Sequence, residues 1–197
     1  TSNKKDLQQT SPRLGLNYRL NDRWSWYVNY GESFALNSGM DRNGDVFNPE
    51  KGKSYEIGGK YRINPQSLLS LALFKMDKEN VLTTDPADSN YQITAGEVSS
   101  KGLELDLETQ LNDQFSIRAN YSYTDAQVEK DQSLAKGSRL SNVPKHSGSI
   151  SSNYEWNLAN ADKVGLGATA IYVGKRSGHS TDTVSYTHLR AHETGRN

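Results

Sequence analysis

Cysteine is absent from this chain of 197 residues, which excludes disulfide scaffolds, cysteine-ligated zinc and thiol catalysis. An excess of charge of one sign is absent as well, because 23 basic and 23 acidic residues cancel. Proteins that bind nucleic acid usually carry a basic excess, so we expect no nucleic-acid partner. No stretch approaches the roughly 18 consecutive apolar residues of a membrane-spanning helix. A membrane β-barrel stays possible, because its alternating strands average to low hydropathy.

The dominant pattern in the sequence is a period of two, which places alternate side chains on opposite faces of a strand. In 103–108, for example, leucines alternate with carboxylates. The pattern predicts an all-β, antiparallel fold with about eight strands, at 12–20, 24–35, 51–63, 67–83, 96–111, 115–128, 146–157 and 163–176. Both phases of the fourth strand are apolar, so its faces stay unassigned.

Connections between these strands alternate strictly between short turns and long loops. The short turns are rich in Asn and Asp, which favour turns; they are 21–23, 64–66, 112–114 and 158–162. The long loops are 36–50, 84–95 and 129–145. Short turns at one end and long loops at the other are typical of an outer-membrane barrel, with the short end in the periplasm. Aromatic residues gather near both ends of the strands, as at the two bilayer interfaces, although aromatics also favour strands in general.

A row of charged side chains is predicted to line the lumen of this barrel. Its members alternate with apolar residues along four strands; they are Arg19, Lys60, Arg62, Glu104, Asp106, Glu108 and Arg118. In a barrel the apolar face meets lipid and the charged face meets water. A soluble sandwich would turn the same charges to solvent, so the row alone leaves both folds open. The strand lengths favour the membrane, since about 9–11 residues cross a bilayer at a tilt.

The motifs that suggest chemistry are incomplete. Asp41, Asn43 and Asp45 open a calcium-loop spacing, but Val46 and Gly52 stand where that loop needs glycine and glutamate. The carboxylates of 104–108 are explained by a solvated wall, and 165–167 precedes a strand where a dinucleotide fingerprint needs a helix. The histidines at 146 and 179 have no second histidine at ligand spacing. We therefore expect no enzyme activity, no catalytic residue, no metal site and no bound cofactor.

The C-terminal segment reads as foreign to the rest. Val184–Thr194 is a translation that the genetic code allows for a transposon adapter used in building sequencing libraries. The alternative is a native loop rich in histidine and arginine. We expect a partial barrel domain over 1–183 and a non-native segment over 184–197, in which His188 and His192 have no biological meaning.

Several segments, in order between residues 11 and 176, resemble TonB-dependent outer-membrane receptors of the ferric-siderophore, ferrichrome-like branch. The similarity is strongest at Asn48–Gly58, which resembles the family's P-E-x-G-x-x-Y-E-x-G element. Each motif is weak alone, and together they are strong. The other matching segments are Ser11–Tyr18, Trp26–Phe34, Leu73–Phe74 with Lys78–Val81, Lys101–Leu105 and Asn142–His146.

The resemblance implies a fragment from the C-terminal half of a plugged 22-strand barrel, with open edges, in the outer membrane of a Gram-negative bacterium. It implies a ferric siderophore as cargo, with the iron held by the chelator, and outer-membrane lipid around the wall. It also implies coupling to the TonB–ExbB–ExbD complex through a plug and a TonB box outside this fragment. Phe34 and Tyr91, near the loop ends, are the candidate ligand contacts.

Three alternatives remain open at this point. The cargo could be haem, cobalamin or a glycan. The chain could form a small barrel without a plug, in an adhesive or structural role, which predicts a signal peptide just upstream and a stop soon after the eighth strand. It could also be a soluble β-sandwich interaction domain, which predicts a folded monomer without detergent.

Overall fold

The computed structural model describes residues 10–85, 87–132, 134–157, 163–177 and 185–196. Nine strands account for most of them. Among these residues, no helix has the length and hydropathy needed to span a membrane. The strands are β1 (Arg13–Arg19), β2 (Trp24–Ala35), β3 (Glu50–Asn64), β4 (Ser67–Thr84), β5 (Gln92–Gln110), β6 (Phe115–Lys130), β7 (His146–Asn157), β8 (Lys163–Ser177) and β9 (Ser185–Arg196).

All nine strands form one antiparallel sheet in which each strand pairs with its neighbours along the chain, in the order β1 to β9. Within the described part, β1 and β9 pair on one side only, so the sheet is open, as expected of a piece of barrel wall. The prediction of β2 and of β7 is confirmed to the residue. β5 begins at Gln92, earlier than predicted, because register shifts around Val81 interrupt the side-chain alternation while the backbone ladder continues.

β9 is a strand that the sequence did not predict. Its backbone pairs with β8 from Ser185 to Arg196, within the segment expected to be non-native. Edge strands present unpaired N–H and C=O groups that any following segment can satisfy, so this pairing does not depend on the origin of the segment. That origin stays a prediction. The predicted turn at 158–162 and His179 lie outside the described residues.

Asparagine side chains close the short turns at the end of the sheet that we call the turn end. The Oδ1 atom of Asn21 accepts the backbone N–H groups of Arg23 and Trp24, at 2.9 and 2.8 Å. Asn112 repeats the arrangement with Gln114 and Phe115, also at 2.9 and 2.8 Å. Such Asx turns satisfy amides that the hairpin leaves unpaired, and they explain why connections of three residues suffice here. The opposite end, with the longer connections, is the loop end.

Strand register divides the sheet into two faces of opposite character. Leu16 lies opposite Val28, which lies opposite Ile57, then Leu73, then Leu103. This side is the apolar face, and the alternate residues form the polar face. The pairing also settles the phase of β4, by placing 69, 71 and 73 on the apolar face.

A conventional interior core is missing from the described residues. Large apolar side chains stand exposed along the sheet, Leu14 at 71% and Leu73 at 51% among them. The described apolar side chains that are buried are Phe47, Ala72, Ala126 and Val128. A soluble sandwich would bury one whole face, so this architecture contradicts the sandwich alternative.

Candidate functional site

The apolar face forms a continuous band across the middle of the sheet. Leu105, for example, lies opposite Leu71 on one side and Tyr121 on the other. Its members are exposed over much of their area, with Ile57 at 51% and Ile150 at 53%. Exposed apolar area on this scale marks a contact surface. A band bounded at both ends by polar residues fits the hydrocarbon layer of a membrane.

Aromatic side chains border this band at both ends, as predicted. At the turn end the rings of Trp24 and Tyr61 lie 4.3 Å apart, and those of Tyr154 and Trp156 lie 4.6 Å apart. At the loop end the centroid of Tyr30 lies 5.1 Å from that of its cross-strand partner. Amphipathic rings partition to membrane–water interfaces, so the two groups mark the two surfaces of the bilayer.

The polar face carries the predicted row of charges. Arg118 lies directly opposite Glu108, and Asp106 lies opposite Ser70 and Asn120. The Arg118 Nε atom is 3.4 Å from Glu108 Oε1, with side chains 78% and 59% exposed. Exposed pairs of this kind contribute little to stability. The row therefore makes a hydrated, mixed-charge surface, suited to water or to a polar domain packed against it.

At the loop end, the connection between β2 and β3 is fastened to β4. The Nδ2 atom of Asn37 donates to the carbonyl oxygens of Asn48 and Asn80, at 2.8 and 2.9 Å. The Nδ2 atom of Asn80 in turn donates to the Pro49 carbonyl at 3.0 Å. We call Asn37, Asn48, Pro49 and Asn80 the asparagine knot. It holds the ends of the 36–49 loop against the neighbouring hairpin.

A buried carboxylate extends this fastening to the next loop. Asp85 Oδ2 lies 3.5 Å from Arg42 Nε, and the Asp85 side chain is 8% exposed. Asp85 Oδ1 accepts the Ala87 N–H at 2.8 Å. On the polar face of the same region, Lys78 Nζ contacts Glu50 Oε1 at 2.9 Å. The two loops are therefore joined, and they can present a fixed surface to a ligand.

The structure places the two predicted ligand contacts apart. Phe34 lies on β2 opposite Lys51. It has the same strand parity as Val28, which puts it on the apolar face beyond the band, 38% exposed. Tyr91 lies in the turn between β4 and β5, 42% exposed, with its N–H bonded to the Asp88 carbonyl at 3.0 Å. No ring contact joins the two among the described residues. Their role as ligand contacts stays a prediction.

The calcium-like spacing at 41–45 has another structural explanation. Asp41 Oδ1 accepts the backbone N–H groups of Asn43 and Asp45, at 2.8 and 2.9 Å. The Asp41 N–H donates to the Asp45 carbonyl at 2.9 Å, which closes a small hairpin. Within the described part of the chain, no group of three or more histidine, aspartate or glutamate side chains is placed to hold a metal. This carboxylate shapes the loop.

Sequence reasoning missed the asparagine knot. Asn80 was quoted only as part of a family-like segment, yet it has a φ of +59°. Asparagine tolerates this left-handed region better than other residues with a side chain. An asparagine inside a long strand was the available signal, since asparagine is depleted in strands. Its partners in the distant loop could not be identified from spacing.

Replacing Asn80 by alanine is expected to release the 36–49 loop. Alanine removes the amide that bonds Pro49 and fits the positive φ poorly; a strained residue of this kind costs about 1–3 kcal/mol. Asn80→Gly keeps the conformation and loses only the hydrogen bond, so it should release the loop less. Limited proteolysis of the full-length protein in detergent measures the effect as cleavage within 36–49. Equal cleavage of wild-type and alanine proteins would contradict the fastening role.

Comparison with known proteins places this geometry in context. A family model described as TonB dependent receptor-like, beta-barrel matches residues 1–192. The metal-pseudopaline receptor of Pseudomonas aeruginosa is 41% identical over 184 residues, covering 93% of this chain and 26% of the relative. The ferrichrome outer membrane transporter/phage receptor of Escherichia coli is 31% identical over 191 residues, covering 95% and 25%.

Solved structures agree on the fold. The ferric-catecholate import receptor Fiu of E. coli K12 superposes with a TM-score of 0.68 at 25% identity, covering 93% of this chain and 28% of that one. The siderophore receptor PiuA of Acinetobacter baumannii superposes with a TM-score of 0.73 at 24% identity, covering 91% and 28%. The chain spans about a quarter of the length of the curated relatives it matches.

Proposed function

The chain belongs to the TonB-dependent receptor-like β-barrel family, and from that premise we propose that the full-length protein imports a metal–siderophore complex across the outer membrane. Its relatives are named as receptors and transporters. The described strands form a wall of the barrel, which lies in the outer membrane of a Gram-negative bacterium. The apolar face is the lipid side, the polar face is the lumen side, and the loop end is the cell surface.

The opposed faces of the wall are the observation that carries this proposal. Along β5, leucines 103, 105 and 107 face lipid, while Glu104, Asp106 and Glu108 face the lumen. A hydrated charged wall of this kind can bind a polar plug without fixing it in a dry interface, because exposed ion pairs are weak. We propose that the plug moves against this wall when the TonB–ExbB–ExbD complex acts on it.

We propose that the cargo is a ferric siderophore, with the iron held by the chelator and no resident cofactor in the wall. Two relatives support this class, being named for ferrichrome and for ferrioxamine B. Phe34 and Tyr91 stay proposed contacts, and the joined loops at the cell surface would hold Tyr91 in place. A second candidate cargo is a chelate of another metal, which is favoured by the 41% identity to a metal-pseudopaline receptor.

Uptake by cells that express the full-length protein tests the proposal. We expect radioactive iron to accumulate when supplied as a ferric siderophore, in a strain lacking its other siderophore receptors. Haem, cobalamin and a glycan, tested as competitors, should leave this uptake unchanged. A chelate loaded with a metal other than iron separates the second candidate. Uptake of haem or cobalamin but of no siderophore would refute the assigned cargo.

The same cells without TonB supply the control for energy coupling. Accumulation should stop while binding of the chelate at the surface persists, because the loops and the wall are unchanged. Accumulation that continues without TonB would contradict the coupling and leave only a passive pore.

A further inference from the structure

A polar hollow opens on the lipid side of the wall, immediately above the apolar band. Seven residues of β4, β5 and β6 line it, and the hollow has a volume of about 320 Å³. We call these residues the margin cluster: Lys75, Asp77, Ser99, Lys101, Asp125, Gln127 and Glu129. Nothing in the proposed transport function requires charged residues on this side.

Strand register fixes the depth of the margin cluster. Lys75 lies opposite Lys101, and Lys101 lies opposite Asp125, in one row across three strands. The next row toward the membrane on the same face is 73, 103 and 123, which belongs to the band. Alternate residues of a strand are about 7 Å apart. The cluster therefore lies where the hydrocarbon of the outer leaflet gives way to headgroups.

Part of the cluster is already satisfied by the protein. Asp77 Oδ2 lies 2.9 Å from Lys75 Nζ, and Asp77 Oδ1 accepts the Ser99 hydroxyl at 2.7 Å. The hydrogen bond from the Lys75 ammonium lowers the pKa of Asp77, so this carboxylate stays ionised. Lys75 itself is 55% exposed, which leaves its other donors free to face the hollow.

Two groups in the cluster lack the partners they could take. Asp125 Oδ1 is buried with no hydrogen-bond partner, although its other oxygen accepts Gln127 Nε2 at 2.9 Å. The nearest cation is Lys145 Nζ, 3.7 Å from Oδ1, which is beyond hydrogen-bond distance. Lys101 is exposed and forms an ion pair with no residue that the structure describes. A buried acceptor without a donor is costly, so a donor from outside the wall is expected there.

We propose that the margin cluster binds the phosphorylated sugar headgroup of a glycolipid in the outer leaflet. Lys75 and Lys101 would bind a phosphate group, and Asp125 Oδ1 would accept a sugar hydroxyl. This ligand class fits the mixed charges of the hollow. A phosphate alone would supply no donor to Asp125 and would meet repulsion from Asp77 and Glu129. The inference rests on the membrane placement of the wall and is independent of the cargo.

Binding of diphosphorylated lipid A to the full-length protein in detergent tests the inference. We expect lipid A to bind the wild-type protein and to bind Lys75→Gln/Lys101→Gln about tenfold or more weakly, since a hydrogen bond to a charged group contributes about 1.5–3 kcal/mol. The matched control is Lys60→Gln, which removes a lysine from the lumen side of the same wall. Its affinity should equal that of wild type.

Three results would overturn the inference. They are equal affinity in all three proteins, equal loss in the double variant and in the Lys60→Gln control, and competition by inorganic phosphate at the concentration at which lipid A binds. Heat-dependent migration in detergent gels verifies that every variant is folded. Siderophore uptake is measured on the same variants, and a failure of transport in wild type would leave the lipid result unaffected.

Discussion

Arginine in place of Leu105 is expected to destabilise the full-length barrel by about 2–4 kcal/mol, the cost of a cation near the bilayer midplane on the lipid side. Leu105 lies in the centre of β5 on the apolar face, between Leu71 and Tyr121. No carboxylate occupies either of these cross-strand positions, so the new charge would meet hydrocarbon. Urea-dependent folding into lipid vesicles, followed by tryptophan fluorescence, measures the change.

The adjacent position supplies the matched control. Asp106 lies one residue further along the same strand and faces the lumen, opposite Ser70 and Asn120. Asp106→Arg should change stability far less than Leu105→Arg, because its side chain meets water and lies between two glutamates on the same face. Equal losses at the two positions would refute the assignment of the faces, and the membrane placement would fall with it.

Alanine in place of Gly102 should disrupt the pairing of β5 with β6. A β-carbon at this position would overlap the Tyr123 carbonyl oxygen and lie 2.8 Å from the Phe74 ring. The obstacle is backbone, which a rotamer change cannot relieve, so the strand itself must shift. Overpacking typically costs about 1–3 kcal/mol and occasionally more. The fraction of folded protein in detergent gels and the urea midpoint report the loss.

Gly165→Ala is the control for the glycine prediction. The nearest atom to a β-carbon at Gly165 is 3.7 Å away, which is ordinary van der Waals contact. This variant should fold and should melt close to wild type. A Gly102→Ala protein that is equally stable would show that β5 and β6 are further apart than the structure places them.

Strands and faces were predictable because a single physical rule governs them. Alternation assigned Leu103–Glu108 to two environments, and the register confirms this assignment across the neighbouring strands. β4 escaped the rule because leucines at 68, 69, 71 and 73 fit either phase. Only the partner strand decides, by placing Leu73 opposite Leu103. Alternation fails as evidence wherever both phases are apolar.

Loop structure was much harder to predict, because it depends on contacts between residues distant in the chain. The knot joins Asn37 to Asn80, which is 43 residues away. The Arg42–Asp85 pair likewise links two different loops. Composition marked these segments as polar, which predicts exposure and leaves partners unspecified. The buried Asp125 oxygen was invisible for the same reason, since its burial arises from three strands meeting.

The order of the strands also has a consequence for how the wall assembles. Each strand pairs with the next one along the chain, and closing a short connection costs little conformational entropy. Contacts between chain neighbours favour rapid pairing. The sheet can therefore grow one hairpin at a time, because every newly formed edge is covalently tethered to the strand that will cover it. In such a sequence an edge is exposed only for as long as the next strand takes to arrive.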